Sequence, residues 1–213
     1  MKYNYSFIML TGFTMKNTDM KYFTTYLQRL FLKDTKINFI YVKSPIRKIT
    51  CYGGQKYTAW YDYIKEDVTN TKGELNLDHL LEQNDKIHKI IDKENKSYDD
   101  YKKIFICGYS QGATMALSSG LSYPHKLGGI MAFKGHIPRE IDDHLTVKQN
   151  IWATNSKNDH TIPFEISKEY YDKYIKKGYN ITFYEQDKSN HNASSGIRDQ
   201  IKSLRPWLAN LTK

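Results

Sequence analysis

The 213-residue sequence has two cysteines, five prolines and five arginines, and it has no long hydrophobic run. Two thiols are too few for a disulfide framework, and Cys107 lies within an apolar stretch, so both are read as free in a reducing compartment. No apolar run approaches the ~18 residues that a membrane span requires. Near the N-terminus only residues 7–10 are continuously apolar, short of the ~7–15-residue core of a secretory signal. A cytoplasmic chain without integral membrane association is expected. No Pro-rich or Gly/Ser-rich stretch divides it and no repeat is visible, which predicts a single domain over 1–213.

The charge is lopsided but diffuse. Lys and Arg number 32 against 23 Asp and Glu, a net charge of +9, and 27 of the 32 are lysines. They are scattered, with no run of about five like charges. A nucleic-acid site needs a basic stripe, and none is present, so that class is excluded. The lysines are read as a solvated surface, capable at most of weak contact with anionic membranes. The two cysteines are remote from each other and no histidine pair has helical i,i+4 spacing, so neither a metal nor an organic cofactor is expected. What the chain does have is 39% hydrophobic and 14% aromatic content, enough for a sizeable core.

Short apolar runs alternate with longer amphipathic stretches. The pattern predicts strands at 5–10, 37–42, 104–107, 130–133, 151–153 and 179–184. It predicts helices at 19–32, 77–91, 113–121, 166–175 and 197–208. After Ser44-Pro45 a loop of more than about 30 residues is expected, carrying Gly53-Gly54 and the aromatics Tyr57, Trp60, Tyr61 and Tyr63. The run Ile104-Phe105-Ile106-Cys107 is apolar throughout, as a strand buried on both faces of a parallel sheet must be. Strands alternating with helices give an α/β architecture, a mostly parallel central sheet with helices on both faces.

The run ends in Gly108-Tyr109-Ser110-Gln111-Gly112, a G-x-S-x-G pattern between a predicted strand and a predicted helix. Such a turn is sharp and strained, and it lifts the serine hydroxyl above the sheet edge. Glycines two residues to either side remove the side chains that would collide there. A serine nucleophile needs a base, and the base needs a carboxylate to orient it. Where this elbow occurs the chain order is Ser, then acid, then His. His79 and His88 precede Ser110 and fall on a helical pattern, where they are read as surface residues. His125, His136 and His144 precede any suitable acid, and His160 adjoins the best one. His191 remains, in the polar loop between the last strand and the last helix. Asp159, just past the strand at 151–153, is the preferred acid. Asp187, in the same loop as His191, is its rival, while Asp142 and Asp143 are read as a solvated cluster beside Glu140. An oxyanion hole is expected from the backbone N–H groups of Gln111 and of Phe13, in the loop after the first strand.

These residues resemble the phospholipase/carboxylesterase family of α/β-hydrolases, which includes acyl-protein thioesterases. The likeness rests on the elbow with its Ser110-Gln111 pair, on Asp159-x-x-Ile162-Pro163 and on the late His191. It extends to Ser44-Pro45-Ile46-Arg47, Thr50-x-x-Gly53-Gly54 and Ala59-Trp60-Tyr61-Asp62. The chain departs from the family in having Thr11-Gly12 and Thr14-Met15 in the oxyanion loop, and Asn155-Ser156 before the acid. The resemblance implies a compact α/β-hydrolase fold without a large lid. It also implies hydrolysis of carboxylic esters or thioesters of acyl chains through Ser110, Asp159 and His191, without a cofactor. Small acyl esters, lysophospholipids or acylated proteins would be the substrates, and the molecule would be a monomer or homodimer. Trp60, Leu75 and Ile162 map beside the site as a candidate substrate pocket, although Trp60 also reads as packing the long loop to the body. The alternative is a catalytically weak homologue that serves as a binding protein.

The scattered charge generates a test. Turnover of a neutral, soluble p-nitrophenyl ester should change little between low and moderate salt, because scattered surface charge is screened and sets no local field. With anionic vesicles as substrate, salt should slow turnover. A steep salt dependence on the neutral ester would contradict the reading of the lysines as a diffuse surface.

Overall fold

In the computed structural model, which describes residues 3–65 and 75–212, the centre is a six-stranded sheet whose neighbouring strands are all parallel. The strands are β1 (Tyr5–Leu10), β2 (Ile37–Val42), β5 (Ile104–Tyr109), β6 (Gly129–Phe133), β7 (Asn150–Ser156) and β8 (Asn180–Gln186). Their order across the sheet is β2-β1-β5-β6-β7-β8. A separate antiparallel hairpin joins β3 (Ile46–Ile49) and β4 (Gln55–Thr58). The helices are α1 (Asn17–Gln28), α2 (Leu77–Asn95), α3 (Gln111–Leu121), α4 (Phe164–Lys176) and α5 (Ile197–Leu211).

Alternation along the strands builds two cores. Ile8, Leu10, Ile104 and Ile106 point to one face, where α2, α3 and α4 contribute Leu80, Ile87, Met115, Leu117, Tyr171 and Tyr174. Phe7, Met9, Phe105 and Cys107 point to the other, where α1 and α5 contribute Met20, Phe23, Leu27, Ile201, Leu204 and Leu208. Both faces of the central strands are therefore dry, which is why they read as unbroken apolar runs. Each large side chain buried this way contributes ~1.5–3 kcal/mol. Among the described residues no helix is long and apolar enough to cross a membrane.

The predicted long loop is only partly a loop. Residues 46–58 form the β3–β4 hairpin, turned by Gly53 and Gly54 at φ 63° and 74°, values that suit a residue with no Cβ. Its strands are four residues long and Ile49 alone is buried, so the alternation was too short to be read. The stretch 66–74 of the same loop lies outside the described residues. His79 and His88 are also not free surface residues. The His79 ring accepts the Asp62 N–H at 3.3 Å, and His88 Nε2 lies 2.8 Å from the Ser119 carbonyl oxygen. Asp142 likewise is not merely solvated, since it pairs with Lys173 at 2.7 Å and accepts from the Tyr174 hydroxyl.

Strand order reverses between β1 and β5: the chain runs outward to β2 on one side and to β6, β7 and β8 on the other. A crevice opens at the carboxyl ends of the strands at such a point. The loop after β1 and the β5–α3 turn both border it. The turn is pinched between backbones. A Cβ on Gly108 would lie 2.0 Å from the Gly112 carbonyl oxygen, and one on Gly112 would lie 2.3 Å from those of Leu10 and Thr11. At Gly120, farther along α3, the added carbon would meet the end of the Ile130 side chain at 2.4 Å, and that side chain can turn away. Gly112→Ala should therefore cost roughly 1–3 kcal/mol or more in urea unfolding. Gly120→Ala should stay within about 1 kcal/mol of the parent, helped by the higher helix propensity of alanine. If Gly120→Ala proves the worse of the two, the close backbone approach is not what shapes the turn.

Candidate active site

Three loops at the carboxyl edge of the sheet bring Ser110, Asp159 and His191 into one hydrogen-bonded chain. Ser110 follows β5 and holds φ 54° and ψ −122°, a conformation L side chains rarely adopt, costing on the order of 1–3 kcal/mol. It persists because the Ser110 N–H donates to the Phe133 carbonyl at 2.8 Å and the flanking glycines leave room. The Ser110 hydroxyl lies 2.8 Å from His191 Nε2. His191 Nδ1 lies 2.8 Å from Asp159 Oδ2. An ionised carboxylate can only accept, so Nδ1 carries the proton and Nε2 presents its lone pair to the serine. The other Asp159 oxygen accepts the N–H groups of Thr161 and Ile162 at 3.0 and 2.9 Å, so both oxygens are held and the side chain is buried.

The loop carrying His191 is polar because it must satisfy its own backbone. Asn190 N–H donates to Ser195 Oγ at 3.1 Å, and Asn192 N–H donates to Asn190 Oδ1 at 3.0 Å. Gln186 Nε2 donates to the Gly196 carbonyl at 3.1 Å, and Ser156 Oγ donates to that of Ser189. The Tyr109 ring packs 5.6 Å from the imidazole. Asp187, the rival acid, is exposed and pairs with Lys157 at 2.7 Å. His160 is exposed as well. Burial pushes the Cys107 thiol far up, so no thiolate is available from the residue three places before Ser110.

The loop after β1 faces the elbow. The N–H groups of Phe13 and Gln111 have no hydrogen-bond partner among the described residues. The loop is fixed around them by Thr14 N–H to the Thr58 carbonyl at 3.0 Å and by Gly12 N–H to the Met15 sulfur at 3.3 Å. Met15 thus closes the loop that carries Thr11-Gly12 and Thr14. Thr14, a β-branched residue at φ 59°, is strained, as Ser110 is. The Phe13 ring lies 5.8, 5.3 and 6.1 Å from Tyr52, Tyr57 and Tyr63, an aromatic wall beside the crevice. The sequence displayed these rings without marking them as a site surface, because their convergence depends on the hairpin.

Trp60, Leu75 and Ile162, the candidate pocket residues, are instead 1%, 3% and 5% exposed. Trp60 is a brace. Its indole N–H donates to the Thr11 carbonyl at 2.7 Å, and its backbone N–H donates to Gln111 Oε1 at 2.9 Å. Gln111 Nε2 in turn donates to the Tyr61 carbonyl at 3.0 Å. The glutamine after the serine therefore pins the Trp60-Tyr61-Asp62 element to the elbow, and Asp62 pins Thr50 through two bonds of 2.7 and 2.6 Å. Leu75 borders a groove of about 800 Å³ whose rim includes Asp78, Arg139, Glu140, Asp142 and Lys173, too charged to receive an acyl chain. The Ile162 N–H serves Asp159. Among the described residues no group of three His, Cys, Asp or Glu side chains could hold a metal ion.

Comparison with known proteins places this geometry in context. A sequence model of a family described as Phospholipase/Carboxylesterase matches residues 20–208. A probable carboxylesterase of Oryza sativa subsp. japonica is 32% identical over 102 residues, 48% of this chain and 43% of the rice protein. Acyl-protein thioesterase 1 of Saccharomyces cerevisiae is 27% identical over 179 residues, 80% of this chain and 76% of the yeast protein. The chain spans about half the length of several curated relatives that it matches. The crystal structure of Arabidopsis thaliana SOBER1 superposes with a TM-score of 0.86 at 21% identity, covering 98% of this chain and 99% of that one. The fold is that of the α/β-hydrolases, and no large lid stands over it among the described residues.

Proposed function

The chain belongs to the phospholipase/carboxylesterase family, and from that premise we propose that it hydrolyses carboxylic esters or thioesters of acyl chains by two-step acyl transfer. The observation that carries this reading is the unbroken chain from Ser110 Oγ through His191 to a buried, doubly held Asp159, with 2.8 Å at each link. His191 Nε2 takes the Ser110 proton as Oγ attacks the acyl carbon. Charge developing on the carbonyl oxygen is met by the N–H groups of Phe13 and Gln111, each lowering the barrier by ~3–4 kcal/mol. The α3 dipole acts in the same direction, because its N-terminus begins at the serine. His191 then protonates the departing alcohol or thiol and afterwards activates the water that releases the acid from Ser110. Asp159 keeps the proton on Nδ1 and stabilises the imidazolium.

The substrates are acyl esters, lysophospholipids or acylated proteins, classes supported by relatives named carboxylesterase and acyl-protein thioesterase. Their acyl portion lies along Phe13, Tyr52 and Tyr57, the apolar surface beside the oxyanion loop, with the buried Tyr63 packed behind Phe13.

Exchanging the two acids tests the assignment. Ser110→Ala should abolish turnover of a p-nitrophenyl ester in a folded protein. Asp159→Asn should lower kcat by about four orders of magnitude, through the wrong imidazole tautomer. Asp187→Asn should change kcat less than about twofold, since it removes only an exposed ion pair. The opposite ranking of the two asparagine variants would show that the wrong carboxylate has been chosen. A folded parent protein that binds the ester without turnover would favour the binding-protein alternative.

A further inference from the structure

Lys134, directly after β6, is the one fully buried lysine among the described residues of this lysine-rich chain, at 0% exposure. Its φ of 55° is a third strained value at this edge of the sheet, beside those of Thr14 and Ser110. The backbone N–H is held by the Thr154 carbonyl at 2.8 Å. The ammonium reaches into the next loop but one, where it donates to the carbonyls of Asn190, Asn192 and Ser195, the last two at 3.0 Å. Asn190 and Asn192 are the two neighbours of His191. Immediately before Lys134, the Phe133 carbonyl accepts the Ser110 N–H. Two adjacent residues at the end of β6 therefore hold the backbone of the serine and the backbone of the histidine.

We propose that Lys134 is a positioning residue, whose ammonium holds the loop around His191 in register with Ser110 and Asp159. The proposal rests on the acyl-transfer reading of the site. Three carbonyls converging on one point need a cation or three donors, and an ammonium supplies both. No other common side chain of that reach does so with a single atom. Charge burial opposes the arrangement: desolvation pushes the Lys134 ammonium down to about 8 from an ordinary 10.5, with Asp159 pulling the other way. The titratable groups around it are Asp159, after β7, and His191, after β8, with Tyr109 at the end of β5 packed on the imidazole. From α5 the uncharged Gln200 amide approaches the same loop, at 3.5 Å from the Ser195 carbonyl, and Asp199 borders a surface groove with Asp187, Lys188 and Ser189 of that loop.

The charge state has a consequence of unusual sign. Between pH of about 8 and 10.5 the unfolded chain binds the Lys134 proton more tightly than the folded one, so this group raises stability as pH rises through that window. Over the same window the neutral amine has two donors for three carbonyls, and turnover falls.

Lys134→Met keeps the length and removes the donors. Expected are a fall in kcat of about 100-fold with KM unchanged, loss of the alkaline limb near pH 8 that the parent should show, and an unfolding midpoint at or above the parent's. The downfield proton NMR signal of His191 Nδ1–H, assigned by its loss in His191→Gln, should shift or broaden in Lys134→Met. Folded Lys134→Met with the parent's kcat overturns the proposal, as does a lost kcat with an unmoved Nδ1–H signal. If Lys134→Met does not fold, the parent decides: kcat constant well above pH 8 overturns the proposal, and a limb near pH 8 supports it. If the parent hydrolyses no ester or thioester while the Nδ1–H signal still moves in Lys134→Met, positioning stands and the proposed function falls.

Discussion

One imidazole has to meet two partners at once. His191 lies 81 residues from Ser110 and 32 from Asp159 along the chain, yet both contacts close at 2.8 Å. A shift of one ångström in any of three loops breaks one of them, and such displacements cost catalysts orders of magnitude. Much of the molecule can be understood as meeting that tolerance. The parallel sheet fixes the ends of β5, β7 and β8 on one edge, and the two cores clamp the sheet from both faces. Each loop is then locked locally. The elbow is pinched between glycines, Asp159 is tied by two backbone N–H groups, and the His191 loop is tied by its own asparagines and serines.

The cost of this precision is concentrated at the same edge. Of the four non-glycine residues with positive φ among those described, Thr14, Ser110 and Lys134 all lie just past strands that border the site. Each position is over-determined by hydrogen bonds from neighbouring loops, which is the condition under which strain survives. A buried ammonium adds a desolvation cost in the same place. The stable remainder of the fold, with its dry and continuous cores, offsets these local losses.

How much of this was legible depended on whether the signal was local. The bounds of β1 and β2 could be read directly, since each is a short, largely apolar run closed by turn residues, although β2 is a half-exposed edge strand. Ser110 was legible because glycine spacing reports the sharp turn itself. Asp159 and His191 could be singled out because chain order and placement just past a strand leave few other choices, and they lie within hydrogen-bond distance of each other. Trp60, Leu75 and Ile162 were placed by sequence proximity, which does not say which way a side chain faces, and all three are buried. The β3–β4 hairpin was hidden by four-residue strands with a single buried position. Lys134 carried no signal at all, being one lysine among 27 in the composition. Only its burial against carbonyls 56 to 61 residues away distinguishes it.

The central claim is that Ser110 is the acyl acceptor, and covalent capture measures it most directly. The protein is treated with a fluorophosphonate, esterase activity is followed in time, and the digested protein is examined by mass spectrometry. The expected result is one adduct per chain, on the peptide that contains Ser110, accumulating in step with the loss of activity. Activity that survives complete labelling, or an adduct on another residue that tracks its loss, would contradict the account.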